Sequence, residues 1–279
     1  MDVCRIGPRD ARRVLVITSG AHGIEGFSGS AVQTAWLRSG IGARLPADCA
    51  LLLVHAVNPW GFAHEQRVTE EGVDLNRNFV DFDRPLPANP GYAALHPALC
   101  VEHWVDAEID AAFAAMDGFR LQHGEQAFSD AFNGGQHEHA DGVFYGGTRP
   151  QWSNRVFREV LRWHVAPHAE HAALVDFHTG IGPYGEPFFV NFDAAGTAAC
   201  ARAQRWWGER AVNRAGSTHQ AFARYSGLLI DAFAQELPRA QHTRTVVEFG
   251  TYERSRQQRA ALSLMWLRRH PDAAPALAD

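Results

Sequence analysis

The chain has 279 residues, of which 46% are hydrophobic and 20% charged, and its formal net charge is −5. This balance excludes a disordered or fibrous chain, and the acidic sign gives no electrostatic basis for binding nucleic acid. All 26 basic residues are arginine. Enzymes that need a Schiff-base lysine, a pyridoxal phosphate anchor or a P-loop lysine are therefore excluded as well.

Short apolar runs alternate with helical patterns along the chain. Strands are predicted at residues 14–18, 50–56, 172–177, 187–192 and 245–249. Helices are predicted at residues 29–38, 97–116, 152–165, 197–213, 228–237 and 254–269. Near-continuous Val, Leu and Ile runs between helices predict a three-layer α/β/α fold with a mixed, mostly parallel central sheet. Because no linker or repeat interrupts the pattern, we expect a single domain spanning residues 1–279.

The first apolar run, VLVI at residues 14–17, is too short for a secretory signal or a membrane span, which predicts a cytoplasmic protein without a membrane partner. The four cysteines show no C-x-x-C spacing, which predicts reduced, partly buried thiols.

Polar residues with catalytic chemistry follow three of the predicted strands. His22 and Glu25 come after the first, His178 after the third, and Glu248 at the end of the last. Ligands bind at the carboxyl ends of strands in such sheets, and two His with one carboxylate form the open ligand set of a catalytic zinc site. A buried carboxyl group at a strand end suits a water-activating base. The alternative is that His22 caps a helix and His178 is a structural polar residue.

The polar segment between the second strand and the next helix contains a candidate anion site. Asn76 stands beside Arg77, and an amide next to a guanidinium suits binding of a carboxylate through directed hydrogen bonds. Arg67 lies nine residues before Asn76 and is a candidate for stabilising a tetrahedral oxyanion.

Five motifs in this order together resemble the zinc carboxypeptidase (M14) superfamily. They are HGIE at 22–25, NPWGFAHEQR at 58–67, GVDLNRNF at 72–79, DFHT at 176–179 and VEFG at 247–250. The segment GVFYGGTRPQWSN at 142–154 is similar to a subgroup of bacterial M14-type proteins classed as a domain of unknown function. This subgroup is the nearest resemblance.

The resemblance implies a carboxypeptidase-like fold and a role for each motif. The zinc ligands that it implies are His22, Glu25 and His178, for one ion per chain. Glu248 would act as general acid and base, and Arg67 would polarise the scissile carbonyl. Asn76 and Arg77 would bind the free carboxylate of the substrate.

Three functions stay open at this point. We expect a metallocarboxypeptidase that cleaves a C-terminal peptide bond. An N-acyl amino acid deacylase of the aspartoacylase or succinylglutamate desuccinylase kind shares the zinc set, but such enzymes generally have a β-rich domain after the catalytic Glu, and only 31 residues follow Glu248 here. A non-catalytic zinc or carboxylate-binding module is the third. The expected partner is a small peptide or N-acyl amino acid with a free carboxylate, and the oligomeric state is open.

Further features of the chain have more than one interpretation. A substrate-capping Tyr could be Tyr225, although Phe233 is nearer the expected position, and a basic group near residues 239–244 could read an acidic substrate side chain or form a solvated edge. The QHEH tract at 136–139 resembles a metal tract, but no third ligand lies near it in sequence, which favours a solvated loop. Relatives usually have more sequence before the first motif, so the chain is either a minimal version or lacks a natural N-terminal segment.

Overall fold

A computed structural model of the protein describes residues 1–208, 211–213 and 222–273. The strands in chain order are β1 (Asp2–Ile6), β2 (Arg13–Ser19), β3 (Cys49–His55), β4 (His171–Tyr184), β5 (Pro187–Asn191), β6 (Ala211–Asn213) and β7 (Gln241–Gly250). They form one sheet in the order β1-β3-β2-β4-β7-β5-β6. Pairing is parallel from β3 through β2 and β4 to β7, and between β5 and β6, whereas β1 and β5 run antiparallel to β3 and β7. The predicted mixed, mostly parallel sheet is confirmed.

Helices cover the sheet and extend beyond it. They are α1 (Gly26–Arg38), α2 (Pro59–Ala63), α3 (Pro90–Leu99), α4 (Asp106–His123), α5 (Glu125–Asn133), α6 (Trp152–His164), α7 (Ala198–Trp207), α8 (Leu229–Glu236) and α9 (Arg254–Arg269). Among the described residues, no helix is long and apolar enough to cross a membrane.

Both faces of the central strands are apolar. In β3, Leu52 and Val54 pack in the cluster that includes Phe233 and the buried residues of α6 and α8. Leu51 and Leu53 point the other way, into a cluster contacted by residues of α1. Side chains alternate across a strand, so an unbroken apolar run requires cover on both sides.

A third apolar cluster lies outside the sheet, where α3, α4, α5 and α9 pack on one another around residues such as Met116, Phe128 and Trp266. Residues of α5 and α9 line one side of a groove that opens near the carboxyl ends of β4 and β7. This helical cluster therefore forms a wall of the site described below.

The predicted helix at 97–116 is wrong, because α3 ends at Leu99 and α4 starts at Asp106. The true start of α3 carries a local signal: the side chain of Asn89 accepts a hydrogen bond from the amide of Tyr92, and Pro90 occupies the first turn. Pro97 lies near the end of α3, and as a proline it has no amide hydrogen to donate to the helix.

The predicted helix at 197–213 is wrong at its end. Helix α7 stops at Trp207, and Gly208 has a positive φ of 66° that ends the helical path. Residues 209–210 lie outside the described residues, and Ala211–Asn213 pair with β5 as a strand. The edge strand β1 was not predicted at all; its sequence DVCRI has no apolar run, and none of its five residues is buried.

Candidate active site

Three predicted zinc ligands converge at the carboxyl ends of β2 and β4. His22 Nδ1 lies 2.9 Å from Glu25 Oε1, and His178 Nδ1 lies 3.2 Å from both His22 Nδ1 and Glu25 Oε2. The amide of Thr179 donates to Glu25 Oε2 at 2.9 Å and orients that carboxylate. The turn that carries His22 and Glu25 needs glycine at position 23, since a Cβ there would lie 2.0 Å from the backbone carbon of Gly61.

Each imidazole turns its other nitrogen toward a buried carboxylate. His22 Nε2 lies 3.0 Å from Asp74 Oδ1, and His178 Nε2 lies 2.8 Å from Asp176 Oδ2. Thr18 Oγ1 donates to the second oxygen of Asp176 at 2.6 Å. Such carboxylates hold the ring proton on Nε2, which leaves both Nδ1 lone pairs directed at a common point.

Arg67 is tied to the same group of side chains. Its Nη1 donates to Glu25 Oε1 at 2.7 Å, its Nε donates to Asp74 Oδ2 at 3.1 Å, and its Nη2 lies 2.8 Å from His22 Nε2. Burial alone would raise the pKa of Asp74, but the charge of Arg67 and the hydrogen bond with His22 hold that pKa well below its ordinary range. Asp74 is therefore a permanently charged link between the imidazole and the guanidinium.

Glu248 faces this group from the neighbouring strand. It is the register partner of His178 in the parallel pair of β4 and β7. Its Oε2 is buried and makes no hydrogen bond to the described residues. Burial raises the pKa of Glu248 to about 7, with repulsion from Glu25 in the same direction and attraction to His178 against it. A carboxyl group with this pKa and a free oxygen can accept and return a proton near neutral pH.

The charges of the site fit a divalent cation. The carboxyl groups that surround the two imidazoles are Glu25, Asp74, Asp176 and Glu248, and the guanidinium groups nearest to them are those of Arg67 and Arg77. The carboxyl groups outnumber the guanidinium groups, so a bound cation would reduce the excess of negative charge. Two imidazole nitrogens and one carboxylate are also donors that zinc prefers.

A cavity of about 160 Å³ extends from these donors to Asn76 and Arg77. Arg77 is 4% exposed, and its two Nη atoms each donate at 2.8 Å, to the carbonyls of Asn76 and Asn133. Its guanidinium lies 4.6 Å from the ring centre of Tyr225. Among the described residues no carboxylate comes within ion-pair distance of Arg77, and its Nε has no hydrogen-bond partner. The charge of Arg77 is therefore available to an anion.

The side-chain oxygen of Asn76 is already used within the protein, because it accepts a hydrogen bond from the amide of Leu229 at 2.8 Å.

The remaining walls of this cavity are mostly apolar, and they include Phe192, Leu228, Ile230 and Val246. Arg239, His242 and Arg244 are absent from the described lining, and Arg244 Nη2 pairs with Asp193 at 2.7 Å. Tyr225 lines the cavity, whereas Phe233 is fully buried in the core. An acidic substrate side chain thus finds no guanidinium in the apolar part of the cavity.

A wider groove of about 530 Å³ adjoins the cavity and shares with it Glu25, Arg67, Phe144 and Tyr225. Phe144 contacts both arginines of the site, with its ring centre 5.1 Å from the guanidinium carbon of Arg67 and 5.6 Å from that of Arg77. The 142–154 segment therefore contributes a wall of the site.

Sequence reasoning gave no role to Asp74 and left the role of Asp176 undecided. Each could have been found from its place in a motif, because Asp74 lies two residues before Asn76 and Asp176 two before His178. His22, the partner of Asp74, and Thr18, the second partner of Asp176, lie on other elements. The pairing of Asp74 with His22 joins residues 52 positions apart.

Comparison with known proteins identifies the family. A family model described as "Protein of unknown function (DUF2817)" matches residues 1–279. The chain belongs to this family. The resemblance of its motifs to a domain of unknown function is thereby confirmed. A comparison with curated proteins found no match to this DUF2817 member.

Solved structures similar to this DUF2817 member include those of three proteins. Bovine thrombin-activatable fibrinolysis inhibitor is 13% identical with a TM-score of 0.46, over 95% of this chain and 82% of that one. Carboxypeptidase A from Helicoverpa armigera is 14% identical with a TM-score of 0.45, over 99% and 65%. Succinylglutamate desuccinylase from Chromobacterium violaceum is 15% identical with a TM-score of 0.39, over 93% and 61%. The chain thus spans less than two thirds of the last two proteins, and the similarity concerns the fold alone.

Proposed function

We propose that this protein is a zinc-dependent hydrolase that cleaves an amide bond next to a free carboxylate, most readily a C-terminal peptide bond. One observation carries the proposal: a single cavity presents a three-donor cation site, the free carboxyl oxygen of Glu248 and the unpaired charge of Arg77. A substrate bound by its carboxylate at Arg77 would place its last amide bond near the donors and Glu248.

The proposed metal ligands are His22, Glu25 and His178. When bound, zinc would supply a Lewis acid that polarises an oxygen ligand. Glu248 would take a proton from the attacking water and pass it to the leaving amine, because its pKa near 7 lets it exist in both forms. Arg67 lies against Glu25 and lines the same cavity, so a carbonyl brought beside Glu25 would meet a guanidinium that stabilises negative charge.

The walls of the site favour a peptide with an apolar C-terminal side chain. The cavity that Arg77 lines is small and has several apolar side chains in its walls, which suits one such side chain. The adjoining groove of about 530 Å³ gives room for residues on the other side of the scissile bond. A short acyl group would leave most of that groove empty, which favours a peptide over an N-acyl amino acid. A cytoplasmic location, and the lack of nucleic acid and membrane partners, remain predictions from the sequence.

Hydrolysis of a defined substrate set by the zinc-loaded protein tests the proposal. The set pairs peptides ending in Leu or Phe with their C-terminal amides, and adds peptides ending in Asp and several N-acetyl and N-succinyl amino acids. We expect release of the free C-terminal Leu or Phe only from the carboxylate peptides. Turnover confined to N-acyl amino acids would contradict the proposed peptidase function and support the deacylase. Zinc binding without any turnover would favour the non-catalytic module.

A further inference from the structure

A second group of metal-binding side chains lies away from the cavity, where the end of α3 meets the loop after α5. His96 lies in the last turn of α3, and Cys100 is the residue that caps that helix four positions later. His139 and Asp141 come from the loop. Residues four apart on a helix share one face, so the side chains of His96 and Cys100 reach the same space.

The donor atoms of this group are close together. His96, His139 and Asp141 each offer a donor atom within 4.8 Å of the other two. Asp141 Oδ1 and Cys100 Sγ both lie 3.0 Å from His96 Nε2, and Cys100 Sγ lies 3.8 Å from Asp141 Oδ2. The rings of His96 and His139 stack with their centres 3.8 Å apart.

This arrangement differs from a cysteine nucleophile with a histidine base. In such a relay the thiol and the carboxylate contact opposite nitrogens of the imidazole. Here Cys100 and Asp141 both approach the same atom, His96 Nε2. Donors that converge on one point instead suit a cation.

A further sign of a missing partner comes from His139. Its Nε2 is buried and makes no hydrogen bond to any residue that the structure describes. A buried polar atom without a partner costs free energy, and a bound cation at the group would remove that cost for an imidazole nitrogen.

We propose that His96, Cys100, His139 and Asp141 bind one Zn²⁺ in a closed, structural site. Two imidazoles, a thiolate and a carboxylate make a four-ligand set typical of structural zinc, and their two negative charges match the charge of the ion. The proposal does not rest on the hydrolase activity, because none of the four residues lines the cavity.

The position of this site gives the ion a structural purpose. The loop of His139 continues into Phe144 and Tyr145, and the carbonyl of Tyr145 accepts a hydrogen bond from the amide of Asp74 at 2.7 Å. Phe144 lines the cavity. An ion that ties this loop to α3 would hold one wall of the cavity in place.

Cobalt substitution of the full chain tests the proposal. A sulfur ligand gives Co²⁺ a thiolate charge-transfer band in the near ultraviolet, and the His22–Glu25–His178 group contains no sulfur, so only the second site can produce this band. We expect the band in the wild type and in His178→Ala, which removes a donor from the first group. We expect Cys100→Ser to lose the band and about one equivalent of Co²⁺. Cys4→Ser, at an exposed cysteine, is the matched control and should keep both.

A protein that binds Co²⁺ without the band, or a Cys100→Ser variant that keeps it, would overturn the four-ligand site. If Cys100→Ser does not fold, alkylation of the wild type with iodoacetamide tests whether Cys100 binds the ion. Zn²⁺ should slow modification of Cys100 by at least about tenfold and leave that of Cys4 unchanged. Equal rates for Cys100 with and without Zn²⁺ would contradict the proposal.

Discussion

At the scale of single residues, the environment of each side chain decides which chemistry it can perform. Glu25 and Glu248 are both buried carboxyl groups of one site. Glu25 accepts from Arg67 and the amide of Thr179, and the charges of its neighbours hold its pKa well below the ordinary range against the effect of burial. Glu248 keeps a free oxygen and a pKa near 7. The first is therefore suited to bind a cation and the second to move a proton.

Replacing Glu248 by Gln should separate turnover from binding. Gln has the same shape but cannot accept the proton, so we expect kcat to fall by at least about a hundredfold. Zinc content should stay at the wild-type value, because Glu248 is not among the three proposed ligands. Elemental analysis and peptide hydrolysis check both expectations. Glu186→Gln, at an exposed position, is the control. Wild-type turnover in Glu248→Gln would remove Glu248 from the proposed mechanism.

Replacing Arg77 by Ala tests the carboxylate site. Loss of a buried charged partner typically costs about 3 kcal/mol, so we expect roughly a hundredfold rise in KM for peptides with a free carboxylate. Zinc content should match the wild type, and it reports on any general damage to the site. Arg84→Ala removes an arginine whose side chain is 81% exposed and should match the wild type. An unchanged KM for the carboxylate peptides would refute a carboxylate-binding role.

At the scale of elements, one carboxylate links two helices on the same face of the sheet. Glu236 at the end of α8 accepts from Arg158 at 2.8 Å and from Arg162 at 2.6 Å, both on α6. Burial opposes the effect, but hydrogen bonds from Arg162 and Arg158 hold the pKa of Glu236 below its ordinary range. Glu236 is only 11% exposed, which makes this pair of contacts stronger than a surface ion pair.

Glu236→Gln should therefore lower the free energy of unfolding by about 1–2 kcal/mol at pH 7. A carboxyl group with a lowered pKa stabilises the fold above its unfolded pKa, and this contribution is lost as the pH falls through its folded pKa. The difference in free energy of unfolding between wild type and variant should thus disappear below about pH 4. Urea unfolding at several pH values measures this difference, with the exposed Glu159→Gln on α6 as control. A difference that stays constant down to pH 3 would contradict the ion-pair explanation.

At the scale of the whole molecule, both proposed cation sites join elements that are distant in sequence. The first joins the turn after β2 to β4, and the second joins α3 to the loop after α5. An ion that binds the folded chain and not the unfolded one adds its binding free energy to stability.

Removal of metal should therefore lower the melting temperature of the protein. A ligand present at a hundred times its Kd stabilises a fold by about 2.7 kcal/mol, which corresponds to roughly 5–10 °C for a chain of this size. Differential scanning calorimetry with and without excess chelator measures the shift, and added Zn²⁺ should restore it. A melting temperature that chelator leaves unchanged would contradict metal binding at both sites.

The fold class and five of the strands could be predicted from the amino-acid sequence, and so could the strand ends near which His22, His178 and Glu248 lie. These features depend on the alternation of side chains along a strand and on the direction of parallel strands, which are local properties. Local reasoning was wrong where a short signal competed with a longer pattern, as at Asn89 and Pro90, which start a helix inside a stretch that reads as loop.

How the side chains act depends on contacts that form only in the folded chain. The orientation of His22 depends on Asp74, and the pKa of Glu248 depends on burial between two strands and on the charge of Glu25. The QHEH tract was interpreted as a solvated loop because its partners His96 and Cys100 precede it by about forty residues. Contacts over such distances arise from packing, and desolvation is a property of the folded interior, so no short pattern contains either.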